Sequence, residues 1–343
     1  MKIAGLKIAI IVIGSGFFLA GEARAQDVHY TQIQATPLLL NPATTGISDV
    51  DFRLVNNYRS QWRTIEKPYN TYSISADQRL FIGKQPVGIG ACMVHDQSMG
   101  NQLITNKLYG CLSFSRFFRN HQFVLGVQPG VVFRHFDQLN TTFNSQFSSI
   151  DGKFYSAWPS YENLLEDKLS YFDLNAGLLW RARIRNYQLA SGIAVCHLNR
   201  PVESFTKDED DEHLPLRYNI QGNIVIPLTQ RVDAVPMVLY SQTSTAREFV
   251  GGSLLGYSFA DPALAVKNLY MLAMLRINTF SNFDALMLGA GVRILKFDLC
   301  ISYDMNISAL RKATNFNGAF EISLIYRNSN ARSKEPAMPC YML

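Results

Sequence analysis

The stretch Phe297-Asp298-Leu299-Cys300-Ile301-Ser302-Tyr303-Asp304-Met305 alternates large apolar residues with polar or small ones at every step. Because successive side chains of a β-strand point to opposite faces, this stretch predicts a strand with one apolar and one polar face. Similar segments recur between Asp51 and Arg327. The alternation indicates an antiparallel sheet, and by itself it fits a soluble β-sandwich as well as a barrel.

The N-terminus has the layout of a secretory signal peptide. Lys2 and Lys7 precede an apolar run at residues 8–20, and Ala23-Arg24-Ala25 has the small-x-small spacing of a cleavage site. We therefore predict a cleaved signal peptide over residues 1–25. No later apolar run is long enough to predict a spanning helix, so we expect any membrane-embedded form to be a closed barrel.

Composition agrees with a barrel and argues against nucleic-acid binding. Aromatic residues make up 12% of the chain, as expected where rings form girdles at the two membrane interfaces. The net charge is only +5 and no long basic run occurs, so we expect no nucleic-acid partner. The five cysteines show neither C-x-x-C nor zinc-type spacing, which favours isolated thiols, although a disulfide in an oxidising compartment stays open.

The alternating stretches can be counted along the chain. We predict strands at about 51–59, 69–80, 86–95, 103–117, 121–135, 170–182, 187–197, 214–227, 231–242, 247–257, 268–278, 283–293, 295–305 and 316–327. An even number brings both ends of a barrel to the same side. The sequence thus predicts an all-β protein, an antiparallel transmembrane β-barrel of about 14 strands at residues 51–327.

The predicted connections alternate in length. Those after even-numbered strands are short, as at 118–120 and 228–230, whereas the two longest, 136–169 and 198–213, follow odd-numbered strands. Outer-membrane barrels have short periplasmic turns and longer extracellular loops. One region departs from this rule, because residues 258–267 form a long connection after an even-numbered strand. Either a strand is misplaced there, or the barrel has one elaborated periplasmic turn.

Short motifs occur in a fixed order over most of the chain. They are Gln26-Asp27, Asn41-Pro42-Ala43-Thr44-Thr45-Gly46, Tyr58-Arg59-Ser60-Gln61-Trp62, His197-Leu198-Asn199-Arg200-Pro201, Tyr303-Asp304-Met305-Asn306-Ile307-Ser308, the last strand around Gly318-Ala319-Phe320-Glu321, and Pro339-Cys340. In this order they resemble the PorP/SprF family of the Bacteroidetes type IX secretion system. Phe320 departs from the pattern, since members often carry His before the Glu.

The resemblance implies a non-enzymatic outer-membrane component of the type IX secretion system, with no cofactor and no metal. It implies contact with outer-membrane lipid, with periplasmic ring and lipoprotein components, and with a secreted cargo protein of adhesin or gliding type. Residues 26–50 are then expected to form a periplasmic N-terminal segment, and residues 328–343 a periplasmic C-terminal tail. The alternative function is a passive outer-membrane pore or solute channel.

Five residues are candidate periplasmic docking or turn residues: Asn41, Pro42, Gly46, Pro339 and Cys340. Asn before Pro favours an extended backbone, and Gly46 can adopt positive φ, so residues 41–46 predict a turn that directs the chain into the first strand. An ordinary turn and a docking element both fit this pattern. The tail is likewise open to two interpretations, a docking element or a dispensable end.

The histidines and an acidic run bear on catalysis and metal binding. The histidines show no metal-ligand spacing and no G-x-S-x-G motif occurs, so we predict no enzymatic activity. His197, at a strand end, is interpreted as an interface or loop-packing residue rather than a general base. The acidic run at residues 208–212 fits a solvated loop better than a calcium site, because the regular spacing of a calcium loop is missing.

Overall fold

The computed structural model of the chain contains a closed antiparallel β-barrel. It describes residues 28–329, apart from 64–67, 84, 99, 101, 138–140, 142–143, 156, 160–166, 206–212, 245, 262, 280–281 and 313–314. The strands of the barrel are β1 (Phe52–Gln61), β2 (Tyr69–Ile82), β3 (Gln85–Ser98), β4 (Leu103–Phe118), β5 (His121–Phe136), β8 (Lys168–Ile184), β9 (Tyr187–Cys196), β10 (Arg217–Pro227), β11 (Val232–Thr243), β12 (Ala246–Ser258), β13 (Val266–Asn278), β14 (Asn282–Ile294), β15 (Phe297–Asn306) and β16 (Asn317–Asn328). Two short strands, β6 (Phe147–Ser148) and β7 (Lys153–Phe154), form a hairpin in the loop between β5 and β8.

Each barrel strand pairs with its neighbours in sequence, and the first strand closes on the last. In the closing pair, Phe52 of β1 lies opposite Asn328 of β16, and Gln61 lies opposite Ala319. All pairs are antiparallel, so the predicted fold class and the number of 14 barrel strands are confirmed. Every predicted stretch overlaps one of these strands, with ends that differ by a few residues.

Alternate side chains of each strand face the interior of the barrel and its outer wall. In β15, Asp298, Cys300 and Ser302 are buried in the interior, whereas Leu299 and Ile301 are exposed on the outer wall. Large apolar side chains cover the outer wall on all sides of the barrel. Such a continuous apolar surface fits the hydrocarbon of a membrane and would be unstable in water.

The two ends of the barrel differ in the length of their connections. One end, called the short-turn end, carries the connections 83–84, 119–120, 185–186, 228–231, 259–265 and 295–296. The other, called the long-loop end, includes 137–167, 197–216 and 307–316. Residues 259–265 join two regular strands, so the exception seen in the sequence is an elaborated turn and not a misplaced strand. The rule for outer-membrane barrels predicts that the short-turn end faces the periplasm.

The tight turns of the short-turn end follow from backbone geometry. Two-residue hairpin turns need positive φ at the first central residue, because only such turns match the twist of the flanking strands. Gly83, Arg119, Arg185 and Leu295 all have positive φ, between 52° and 63°. These turns fix the register of the hairpins that they connect.

The N-terminal segment lies inside the barrel. Residues 28–51, called the plug, contain a helical turn at Pro37–Leu40 flanked by 3-10 turns at Ile33–Ala35 and Pro42–Thr44, and nearly all of their side chains are buried. This differs from the expected periplasmic position of residues 26–50. The physical reason is size, since the interior of a 14-strand barrel is too wide for its own side chains to fill. No helix among the described residues is long and apolar enough to cross a membrane.

Candidate functional site in the barrel lumen

The first part of the plug, around Thr31 and Gln32, is hydrogen-bonded to the closing seam of the barrel, where β1 pairs with β16. The backbone N–H groups of Thr31 and Gln32 donate to the two carboxylate oxygens of Glu321 on β16, at 2.7 and 3.0 Å. The Gln32 side chain donates to Ser302 Oγ on β15, at 3.0 Å, and accepts a hydrogen bond from Ser323 on β16. The plug therefore replaces the water that would otherwise solvate these buried polar groups.

Arg59 of β1 completes this cluster from the other side of the seam. Its guanidinium donates to Thr31 Oγ1 at 2.6 Å and to Glu321 Oε2 at 3.2 Å, and it contacts Asp304 Oδ2 on β15 at 3.1 Å. All three charged side chains are at most 2% exposed. A buried charge is tolerated only when it is paired and hydrogen-bonded, as here. The cluster thus joins the plug, β1, β15 and β16.

The last part of the plug, around Gly46, is held by Asp77 of β2. The backbone N–H of Gly46 donates to Asp77 Oδ2 at 2.8 Å, and Arg53 of β1 donates to both oxygens of the same carboxylate. Gly46 has a φ of 67°, and a Cβ at this position would lie 2.6 Å from the Cα of Gly88. Position 46 therefore requires glycine for its conformation and also for the close approach of the plug to β3.

Asn41 anchors the middle of the plug. Its Nδ2 donates to the backbone oxygen of Leu178 at 3.1 Å, and its Oδ1 accepts from the N–H of Ala43, capping the 3-10 turn that begins at Pro42. Asn41, Pro42 and Gly46 are all buried in the lumen. Residues 41–46 form a turn inside the lumen, where the barrel wall covers them.

A second polar network links the wall to the loop at 197–216. His197 Nδ1 lies 2.9 Å from Asp173 Oδ1, and the hydroxyl of Tyr109 donates to Asp173 Oδ2 at 2.7 Å. The backbone N–H of His197 donates to Asn175 Oδ1, and the φ of His197 is 60°. His197 therefore lies in the interior rather than at the lipid interface, and it anchors the start of a long loop.

The lumen contains a large apolar cluster on the side of β10 to β15. Ile33 and Leu40 of the plug pack against the inner faces of β10 to β15, in a cluster that also contains Val225, Val235, Met237, Leu239, Val250, Leu254, Tyr270, Leu272, Met274, Ala285, Met287 and Cys300. Apolar burial and the polar clusters together fix the plug in place.

Above the plug, a cavity of about 500 Å³ opens at the long-loop end. Its lining includes Val28 and His29, and its cationic side chains outnumber its carboxylates: Arg59, Lys107, Arg134, Arg217, Arg247 and Arg276 against Asp96, Glu203, Glu248 and Asp284. Several of these charges are paired, for example Arg134 with Glu203 and Arg276 with Asp284. We call this cavity the outer mouth.

Several sequence predictions lie outside the described residues: the signal peptide, Gln26-Asp27, the acidic run at 208–212, and Pro339 and Cys340. The other four cysteines, Cys92, Cys111, Cys196 and Cys300, are buried free thiols. Among the side chains that the structure describes, no group of three or more His, Cys, Asp or Glu residues is arranged to hold a metal ion.

The polar residues of the plug were missed by sequence reasoning. Thr31 and Gln32 belong to no motif, yet they make the central contacts of the seam cluster. A signal was present, because Tyr270-Met271-Leu272-Ala273-Met274-Leu275 of β13 is apolar on both faces. An apolar inner face predicts that something other than water fills the lumen on that side.

The fold and its interior define an outer-membrane β-barrel whose lumen holds the N-terminal segment. A sequence model of the type IX secretion system membrane protein family PorP/SprF matches residues 22–326. The chain belongs to this family, and its location is the outer membrane. No curated protein matches its sequence.

Three solved structures are similar to this chain at low sequence identity. A mutant of the monoaromatic hydrocarbon channel TodX is 9% identical, with a TM-score of 0.48, over 85% of this chain and 94% of that chain. The toluene transporter TbuX of Ralstonia pickettii is 9% identical, with a TM-score of 0.46, over 87% and 94% of the two chains. The KdgM porin is 8% identical, with a TM-score of 0.34, over 80% and 98%.

Proposed function

We propose that this protein is a closed, non-enzymatic platform in the outer membrane that supports the export or surface attachment of proteins secreted by the type IX system. The observation that carries the proposal is the seam cluster, in which Arg59, Asp304 and Glu321 hold the plug across the lumen. All three residues fall within motifs that resemble the PorP/SprF family. The residues that match the family motifs are thus the ones that hold the plug in the barrel.

The alternative function, a passive pore, is disfavoured by the same contacts. Conduction needs a continuous path of water through the barrel, and the plug lies in the lumen, where it packs in an apolar cluster and is held beside buried ion pairs. The outer mouth reaches the first residues of the plug, because Val28 and His29 are part of its lining. A pore would require the whole plug to leave its hydrogen-bond partners.

Partner docking is proposed for the periplasmic side of the barrel. The candidate elements are the tail at residues 328–343, with Pro339 and Cys340, and the elaborated turn at 259–265. Both follow the short-turn end of a strand, whereas residues 41–46 are enclosed by the wall. The expected partners are periplasmic ring and lipoprotein components, and the expected cargo is a secreted adhesin or gliding-type protein.

The test is affinity purification from detergent-solubilised outer membranes, with the full chain compared with a variant that lacks residues 329–343. We expect the variant to insert and to keep its heat-modifiable gel mobility, but to recover less of the periplasmic components and to support less cargo secretion. Normal recovery and secretion would show that the tail is dispensable. If the full chain recovers no secretion component at all, the proposed function is wrong.

A further inference from the structure

One part of the short-turn end carries cations and no carboxylate. The sequence contains no Asp or Glu from residue 97 to 136, nor from 174 to 202. These two ranges cover β4, β5, β9 and most of β8, which are neighbours in the barrel wall. At the short-turn end of these strands lie three exposed arginines, Arg116, Arg119 and Arg185. We call these three residues the basic sector.

The residues of the basic sector lie close to one another. β4 pairs with β5, β5 with β8 and β8 with β9, so the four strands are consecutive. The backbone N–H of Arg183, beside the β8–β9 turn, donates to the backbone oxygen of Asn120 in the β4–β5 turn at 3.1 Å. With strands about 4.8 Å apart, the basic sector is about 14 Å wide. Its positive charges therefore act together on whatever lies beside this part of the wall.

The geometry of the two turns gives no reason for arginine. Arg119 and Arg185 both have a φ of 54°. A hairpin turn with positive φ at its first central residue favours glycine there, because a side chain is strained in this conformation. Gly83 holds the corresponding position of the β2–β3 turn, with a φ of 63°. Arginine at positions 119 and 185 therefore costs backbone energy, which indicates a role for the side chain.

Arg116 is on the outer wall, two residues before the end of β4. The preceding Ser115 is buried towards the interior, whereas Phe114 and Arg116 are exposed on the opposite face. In the sheet Arg116 lies opposite Phe123 of β5, which in turn lies opposite Trp180 of β8. Outward-facing rings near the strand ends are typical of an interfacial aromatic girdle. A guanidinium at this depth is level with the lipid headgroups, and its long side chain reaches towards them.

We propose that the basic sector binds the headgroup phosphates of anionic phospholipids in the adjacent leaflet, with the guanidinium groups of Arg116, Arg119 and Arg185 as hydrogen-bond donors. One guanidinium donates two parallel hydrogen bonds to a phosphate. A zwitterionic headgroup carries an ammonium group that is repelled by the arginines, so a lipid such as phosphatidylglycerol is favoured. An acidic protein would reach Arg116 only by displacing lipid from the wall. The proposal depends neither on the role of the barrel in secretion nor on its orientation.

The first test uses Trp180 as a reporter of the lipid beside Arg116. The chain has three tryptophans, so Trp62→Phe with Trp158→Phe leaves Trp180 alone. This reporter protein is inserted into phosphatidylcholine vesicles with a fixed fraction of acyl-brominated lipid, either phosphatidylglycerol or phosphatidylcholine. One cation near an anionic surface changes binding about fivefold, so we expect brominated phosphatidylglycerol to be enriched beside Trp180 by about that factor or more and to quench it more strongly. Equal quenching by the two lipids would overturn the proposal and favour an acidic protein as the partner.

Two variants of the reporter protein, which lose the same number of charges, measure the contribution of the arginines. The first variant carries Arg116→Gln, Arg119→Gln and Arg185→Gln. The control variant has its substitutions at or beside other turns of the same end and carries Arg231→Gln, Lys267→Gln and Lys296→Gln. We expect equal quenching by the two brominated lipids in the first variant and an unchanged preference for phosphatidylglycerol in the control. A preference that survives in the first variant, or that falls equally in both, would overturn the proposal.

A further variant separates lipid binding from folding. Arg119→Gly together with Arg185→Gly gives each turn the residue that its geometry favours and removes two charges. We expect the free energy of unfolding in urea to stay the same or to rise, while the preference of the reporter protein for phosphatidylglycerol falls. An unchanged lipid preference would overturn the proposal, and a lower stability would assign the two arginines to the turns instead.

Discussion

At the scale of single residues, the position of the plug depends on a few buried charges. Glu321 accepts hydrogen bonds from the plug backbone, from Arg59 and from Asn57, whose Nδ2 lies 2.9 Å from Glu321 Oε1. A carboxylate with this many donors in a dry site cannot be replaced by a neutral group without leaving donors unpaired. The sequence motifs included Glu321, but the donors could not be identified before the plug was known to lie inside.

We predict that Glu321→Gln destabilises the barrel by about 3–5 kcal/mol, because it removes one partner of a buried ion pair. The measurement is the free energy of unfolding in urea, followed by the loss of β-sheet circular dichroism in detergent. Lys296→Gln is the control, since the Lys296 contact with Asn328 is exposed and should contribute less than about 0.5 kcal/mol. Similar losses for the two variants would contradict the central role of the cluster.

A glycine pair provides a second test at this scale. A Cβ on Gly126 would lie 2.2 Å from the backbone nitrogen of Ala43, whereas a Cβ on Gly110 would meet no atom within 4 Å. We predict that Gly126→Ala shifts the plug and lowers the temperature of the heat-modifiability transition, while Gly110→Ala leaves it unchanged. Equal transitions would mean that the plug does not press against β5.

At the scale of elements, the strands were predictable and the plug was not. The strands can be recognised from local alternation, as in β15, where the type of each residue indicates whether its side chain faces the lumen or the outside. The plug has no period, because its residues contact many different strands, from Glu321 on β16 to the backbone of Leu178 on β8. Its short turns at residues 33–44 are stabilised by this enclosure and not by local propensity.

The outer faces of the strands can be tested against lipid. Leu288 lies at the middle of β14 and is exposed on the outer wall, whereas Leu295 lies in a turn at the short-turn end. We predict that Leu288→Arg costs about 2–4 kcal/mol and Leu295→Arg about 0–1 kcal/mol, because the cost of a charge falls from the midplane to the interface. Unfolding from phospholipid vesicles measures both. Equal costs would remove the assignment of this wall to the membrane.

The inner faces behave differently from those of an open, hydrated barrel. Alternation alone suggests that Arg is tolerated at Ser302 or Ser323, on the polar face. Both serines contact Gln32 of the plug, so neither position has room for a longer side chain. The polar face is a packed interface in this protein, and its composition reflects the plug as much as it reflects water.

Removal of the plug is the corresponding test of function. We predict that a variant lacking residues 28–47 conducts ions in planar bilayers, whereas the complete protein does not. The reason is that, in the described part of the chain, the plug is the segment that lies across the space enclosed by the 14-strand wall. A stable conductance from the complete protein would favour the passive pore instead. If the deletion variant does not conduct ions although circular dichroism shows an intact β-barrel, another segment closes the lumen.

At the scale of the whole molecule, the difference between the two ends determines orientation. The loop at 137–167 contains the hairpin β6–β7, and at its tip Asp151 accepts hydrogen bonds from Ser148 and Tyr155 that lower the pKa of its carboxyl. A Cβ on Gly152 would meet no atom within 4 Å, so this tip has room for an insertion. The sequence predicted this asymmetry from loop lengths alone, because length depends only on where strands begin and end.

We predict that an epitope inserted at Gly152 binds antibody on intact cells, whereas one inserted at Asn120 binds only after permeabilisation. The expectation follows from long loops outside and short turns in the periplasm. Flow cytometry of intact and permeabilised cells measures both. The reverse result would invert the barrel, and with it the direction of the plug.

The bond between Gln32 and Ser323 joins positions 291 residues apart. A contact between residues so far apart in sequence has a large entropic cost of loop closure, so folding is expected to be slow. The site for Thr31 and Gln32 is incomplete until β1, β15 and β16 have met, and β16 is the last strand to be synthesised. Until then β1 has an unpaired edge, which can pair with other chains. The N-terminal segment therefore has no complete binding site until β16 has joined the sheet, and a chain truncated before β16 is expected to aggregate rather than to form a smaller barrel.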